Sequence, residues 1–164
     1  MEKILITIVL LMVFISCSQK PRSENVQNTE ANRISQIVNA PAVTLENPES
    51  ALHGTWNALQ LGEVLNAARY RLPAKLSFRD NGSYEYNVKF GNILFEGNGT
   101  YRIDITQTPY RIELKQNYPR AAIYSGIFDF GSPQILRIIF YRTDFLPAPI
   151  RMEPENVQIF ERSS

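Results

Sequence analysis

The chain of 164 residues contains one cysteine, Cys17, one histidine, His53, and one tryptophan, Trp56. A lone cysteine rules out an internal disulfide framework and a cysteine-rich zinc site, and a lone histidine rules out a metal centre built on two imidazoles. An excess of charge is missing too: 17 basic against 16 acidic residues leave a net +1, with no run of either sign. Such a balance carries no electrostatic footprint for nucleic acid. The sequence has no Gly-rich phosphate loop, no Cys-x-x-Cys, no Gly-x-Ser-x-Gly and no acidic cluster with calcium-loop spacing. His53 with Asp104 or Asp129 and a serine could be drawn as a triad, but a single His at the head of a strand reads as a surface or capping residue. Glu153 and Glu155 flank Pro154 and read as solvated. No catalytic residue, metal or cofactor is expected, and the chain is not expected to be an enzyme.

No apolar run reaches the roughly 20 residues of a spanning helix. The longest, residues 4–15, is apolar but for Thr7, follows Glu2 and Lys3, and ends at Ser16-Cys17. That is the size of a signal-peptide core. Phe14-Ile15-Ser16-Cys17 resembles the lipobox of bacterial lipoproteins, with Phe and Ile where Leu and a small residue are usual. The resemblance implies a signal peptide over residues 1–16, cleavage before Cys17, acylation of Cys17 with palmitate-type chains, and anchoring of the mature protein to a membrane of the cell envelope. Ser18, where an Asp would favour inner-membrane retention, points to the outer membrane. The alternative is an ordinary signal peptide with an incidental cysteine.

Residues 18–50 are rich in Ser, Asn, Gln, Glu and Pro, with a thin apolar stretch over residues 34–45. A flexible tether over residues 17–50 is expected, with an r.m.s. span of roughly 30 Å, and a short helix near Ile34 would change little.

A train of short strands begins at Gly54-Thr55-Trp56. A Gly that lets the chain enter sharply, followed by a Trp, can close one end of a small barrel. The first strand is expected over residues 53–61. Residues 63–72 then place Val64, Leu65, Ala68 and Leu72 at helical spacing before Pro73, which predicts one short helix. From residue 74 the pattern is two-fold. Leu76 and Phe78 alternate with polar residues, and so do Tyr84, Tyr86, Val88 and Phe90. A three-residue loop with Gly82 left-handed keeps the phase by pairing Phe78 with Tyr84 and Leu76 with Tyr86. A two-residue Gly91-Asn92 loop pairs Phe90 with Ile93, Val88 with Phe95, Tyr86 with Gly97 and Tyr84 with Gly99, so that large rings lie opposite glycines and the glycines leave room inside. Further strands follow over residues 110–116, 121–130, 134–142 and 156–162. A three-residue Gly131-Ser132-Pro133 loop is expected to set Phe128 opposite Leu136 and Gly126 opposite Ile138, with Asp129 and Arg137 outside.

Eight antiparallel strands and one short helix make an all-β barrel over residues 51–163, whose interior is either filled by side chains or large enough for one small ligand. Three stretches carry a resemblance to small lipocalin-like domains of bacterial lipoproteins: His53-Gly54-Thr55-Trp56; Gly99-Thr100-Tyr101-Arg102-Ile103-Asp104 with Thr108-Pro109-Tyr110-Arg111-Ile112-Glu113-Leu114; and Gly126-Ile127-Phe128 leading to Arg151 and residues 157–162. The resemblance covers residues 52–162 and implies a late basic residue, Arg162, packed over Trp56. The inward residues Leu76, Phe78, Tyr84, Tyr86, Tyr101, Ile112 and Phe128 are the candidate lining for a small apolar ligand, because phenols offer both ring surface and a polar tip. The alternative is a filled barrel that presents loops, such as residues 145–150, to an envelope protein partner.

Overall fold

The computed structural model describes residues 24–61, 73–90 and 92–164. The leader with Cys17, the helix expected over residues 63–72 and Gly91 lie outside them. Two compact units divide the chain, Met1–Arg33 and Ile34–Ser164. Helix α1 (Glu24–Asn39) supplies the described residues of the first unit, and its last turns belong to the second. The second unit then holds helix α2 (Pro48–Leu52) and strands β1 (Gly54–Leu61), β2 (Ala74–Phe78), β3 (Ser83–Phe90), β4 (Ile93–Asp104), β5 (Tyr110–Tyr118), β6 (Ala122–Ser132), β7 (Ile135–Arg142) and β8 (Gln158–Arg162). Neither described helix is long and apolar enough to cross a membrane.

The eight strands close into a barrel in sequence order, each antiparallel to the next and β8 antiparallel to β1. Closure gives every strand a neighbour on both sides, although residues 93–97 of β4 pair with β3 alone and run beyond the β5 ladder. Between β2 and β3 the amide of Gly82 donates to Arg79 O at 3.1 Å and Arg79 N to Ser83 O at 2.9 Å, enclosing Asp80-Asn81-Gly82. Gly82 takes φ +76°, the left-handed conformation that a side chain disfavours. The register is Phe78 to Tyr84 and Leu76 to Tyr86, and across the next turn Phe90 to Ile93, Val88 to Phe95, Tyr86 to Gly97 and Tyr84 to Gly99.

The β6–β7 hairpin departs from the expected pairing by two residues. Phe128 faces Ile138, Gly126 faces Phe140, and Phe130 faces Leu136, with a bulge between Phe130 and Ser132 and the turn at Pro133-Gln134. The bulge absorbs an extra residue, so β6 runs on to Ser132. A two-residue slip keeps every side chain on its face, which is why alternation alone could not detect it.

The structure also differs over residues 34–50, expected as flexible tether. Ile34, Ile37 and Val38, spaced to share one helix face, pack with Leu59, Tyr141 and Met152 on a cluster formed by Ile127, Ile135, Ile139, Val157 and Ile159. These five buried side chains lie on the outside of the barrel wall, where bare exposure would be costly. Half-burying three aliphatic side chains of α1 contributes roughly 2–4 kcal/mol to the docking. The chain then runs across the closed end, where Val43 N donates to Phe130 O at 2.7 Å. Asn47 caps α2 by accepting from Ser50 N at 2.9 Å, and Pro48 occupies the first turn, where its missing N–H costs nothing.

Candidate functional site

One end of the barrel is sealed. The indole of Trp56 is fully buried and its Nε1 donates to the carbonyl of Leu52 at 2.9 Å, which ties β1 to α2. Arg162 is the cross-strand partner of Trp56, and its guanidinium lies 4.3 Å from the indole centroid. The same guanidinium donates through Nη1 to His53 O at 2.8 Å and through Nη2 to Ala51 O. A cation over an aromatic face is worth about 0.5–2 kcal/mol, and here it also satisfies carbonyls left over at the end of α2. Gly54 sits at φ +126°, a conformation that calls for glycine, and a Cβ there would lie 2.9 Å from Arg162 Nη1 and push the guanidinium aside.

The candidate lining residues separate into two groups. Leu76, Phe78, Tyr101, Ile112 and Phe128 belong to the packed core around Trp56, together with Tyr110, Phe130 and Leu136. Phe78 meets Tyr101 edge-on at 5.0 Å, Tyr110 meets Phe128 at 5.3 Å, and Phe128 meets Phe130 at 5.9 Å. Tyr101 is further engaged, because its hydroxyl donates to Arg79 O at 2.8 Å. These side chains fill the sealed half.

Tyr84 belongs to the same buried core, at its boundary with the other half of the interior, and Tyr86 packs against that core from the other half. There the inward side chains Ala58, Leu61, Tyr86, Tyr124 and Phe140 pack on the core but remain partly accessible, and Tyr124 meets Phe140 edge-on at 5.9 Å. Val88 is also partly accessible, and Phe95, its neighbour across the ladder, is 54% exposed. This partly accessible, largely aromatic end of the interior is called the cup. Tyr84 lies at its floor, and its hydroxyl is buried with no hydrogen-bond partner among the described residues. Gln116 is buried on β5 with its Nε2 donating to Arg120 O at 2.8 Å, while its Oε1 is likewise buried without a partner. Burial raises the pKa of the Tyr84 phenol, and Tyr124 and Tyr86 oppose its ionisation further. Tyr86 is raised by burial first and by Tyr124 second. Both phenols are thereby held in their protonated form.

The glycines opposite these rings do not leave open room. A Cβ on Gly97 would fall 2.2 Å from Tyr86 Cε1, so the Tyr86 ring occupies that space. A Cβ on Gly99 would fall 2.0 Å from Lys115 O, and one on Gly126 2.4 Å from Ile139 O, so these two permit close approach of neighbouring backbone. Tyr124, Gln116 and Phe140 were not among the residues expected to line a site. Tyr124 could have been found by counting back two from inward Gly126, and Gln116 by counting on two from inward Leu114.

The groups considered for catalysis are dispersed. His53 ends α2 at the sealed end, Asp104 accepts from Thr106 N and Oγ1 in a tight turn, and Asp129 is bound by Arg137 on the outer wall. Among the described residues no group of three or more His, Cys, Asp or Glu is placed to share a metal ion. No family model matches the chain, and no curated protein matches its sequence.

Proposed function

We propose that this chain is a lipid-anchored protein of the cell envelope, held through Cys17 at the outer membrane, whose lipocalin-like barrel binds a small hydrophobic ligand in the cup and performs no catalysis. The observation that carries the binding role is the contrast between the two halves of the interior: Phe128 and Trp56 are fully buried at one end, whereas Tyr86, Tyr124 and Phe140 stay partly accessible at the other. A concave, mostly aromatic surface with a few polar tips is the usual make-up of a small-molecule site. The anchor rests on the apolar run and the Ser16-Cys17 junction in the sequence.

Fluorescence titration with N-phenyl-1-naphthylamine tests the cup. Saturable binding by the wild type that is lost in Val88→Trp, where an indole would occupy the cup, supports the role; binding unaffected by the substitution places the dye elsewhere and removes the support. Labelling of cells with a clickable fatty acid tests the anchor, with a labelled band expected for the wild type and none for Cys17→Ala.

A second reading rests on Phe145 and Ile150, which are 72% and 84% exposed in the β7–β8 connection. They offer an apolar surface for an envelope protein partner that would leave the interior unused. Loss of a co-purifying partner in Phe145→Ser with Ile150→Ser, together with no dye binding by the wild type, would favour it.

A further inference from the structure

Two buried polar atoms, one on Tyr84 and one on Gln116 beside the β5–β6 turn, specify a class of ligand. Tyr84 and Gln116 are the two cross-strand neighbours of Gly99, one on β3 and one on β5. Their backbones are therefore about 10 Å apart, two strand spacings, with no side chain standing between them. Both side chains are nine-tenths or more buried, and each carries an atom that no described residue satisfies: a phenol O–H and an amide carbonyl oxygen. A buried polar atom without a partner is rare in a folded protein and calls for a ligand or water to complete it.

The two atoms ask for different things. The Tyr84 hydroxyl can donate or accept, but Gln116 Oε1 can only accept, because the Nε2 bond to Arg120 O fixes which way the amide points. A ligand group that satisfies both must contain a donor. A carboxylate has none and would set oxygen against oxygen at Gln116. Arg142 stands at the lip of the cup, across from Tyr124, but its Nε is already 2.9 Å from Asp144 Oδ1 in an ion pair whose N–H is not aimed along the contact. The side chains that line the cup below it, Ala58, Leu61, Tyr86, Val88, Tyr124 and Phe140, are uncharged. Burial of the phenols, which holds them protonated, agrees with this.

Resting on the binding role proposed above, we infer that the cup takes a neutral amphiphile, with a primary amide or hydroxyl seated between Tyr84 and Gln116 and an apolar tail running out past Tyr86 and Phe95. Competition against bound N-phenyl-1-naphthylamine at neutral pH, using octanamide and octanoate, tests it. The two probes share a tail and differ in the presence of a donor and a charge. Octanamide is expected to displace the dye at least tenfold more tightly than octanoate. Tyr84→Phe, which removes one oxygen, is expected to weaken octanamide about fivefold after correction for any change in dye affinity, with the thermal midpoint equal or higher; a purely structural Tyr84 would lower the midpoint instead. Gln116→Leu should narrow the amide preference to within twofold. Octanoate equal to or tighter than octanamide overturns the assignment while the cup remains a binding site. Failure of the dye itself to bind overturns both.

Discussion

Arg137 stands directly across the β6–β7 ladder from Asp129 and holds it through Nε at 2.6 Å and Nη2 at 2.9 Å, while its Nη1 donates to the carbonyls of Ile37, Val38 and Ala40 at 3.0, 3.2 and 2.6 Å. One guanidinium thus neutralises a buried carboxylate and caps the C-terminal end of α1, where unpaired carbonyls carry partial negative charge. The pair faces outward from the barrel, as alternation requires, yet both residues are only 5% exposed. The docked chain covers them.

Arg137→Met leaves Asp129 as an unpaired buried charge, and a loss of about 3–5 kcal/mol in urea unfolding is expected. The double variant Asp129→Leu with Arg137→Met should recover most of that loss. It should not recover docking, because the carbonyls of residues 37–40 still lack their donor. Limited proteolysis within residues 34–45 is therefore expected to accelerate in both variants. Unchanged cleavage would show that the apolar contacts of Ile34, Ile37 and Val38 suffice.

Trp56→Ala removes the largest side chain of the sealed end and is expected to cost about 3–5 kcal/mol. Arg162→Lys keeps the charge but loses the planar fork that reaches both His53 O and Ala51 O, so a loss of about 1–2 kcal/mol is expected. Chemical denaturation of the two single variants and the double checks the coupling. The double should cost less than the sum, since each variant already breaks the stack.

The barrel itself was legible in the sequence because two-fold alternation and turn chemistry agree over residues 74–104, and Gly82 and the Tyr86–Gly97 pair constrain the register tightly. The β6–β7 register was not legible, since a shift by two residues conserves both faces. The docking of residues 34–38 was half visible: Ile34, Ile37 and Val38 have helical spacing, but nothing local names the surface that receives them. The signal lay a hundred residues on, where Leu136, Ile138 and Phe140 alternate with Ile135 and Ile139 on the opposite face of one strand, a pattern that requires cover on the outside as well as the inside. The candidate site was read from aromatic content, which marked Tyr101 and Phe128 as readily as Tyr86. Which rings meet one another and which meet solvent depends on where α2 closes the barrel, and that follows from tertiary packing alone.

Gly97→Ala places a methyl where the Tyr86 ring now lies and is expected to destabilise by about 1–3 kcal/mol. The cost should fall below about 0.5 kcal/mol when Tyr86→Ala is also present, because the added methyl then meets no ring. Thermal denaturation of the four proteins closes the cycle. A Gly97→Ala penalty that persists without the ring would place the conflict in the backbone instead.

Alkaline pH should weaken the fold through Tyr84. Its folded-state pKa is raised above the ordinary 10.0, chiefly by burial. Below pH 10 the phenol is protonated in both folded and unfolded chains and contributes no pH dependence. Above pH 10 the unfolded chain releases the proton while the folded chain keeps it, so stability falls as pH rises until the folded phenol also ionises. Tyr86 adds to the fall in the same direction, and its own shift also comes first from burial. Urea midpoints measured upward from pH 9 are expected to decline more steeply for the wild type than for Tyr84→Phe, which has no proton to lose at that position. Phenolate absorbance of the folded wild type should rise to its full amplitude only when the protein unfolds. Parallel declines for the two proteins would mean that the Tyr84 hydroxyl ionises in the folded state as easily as in the unfolded chain, and that the floor of the cup is wetter than its packing indicates.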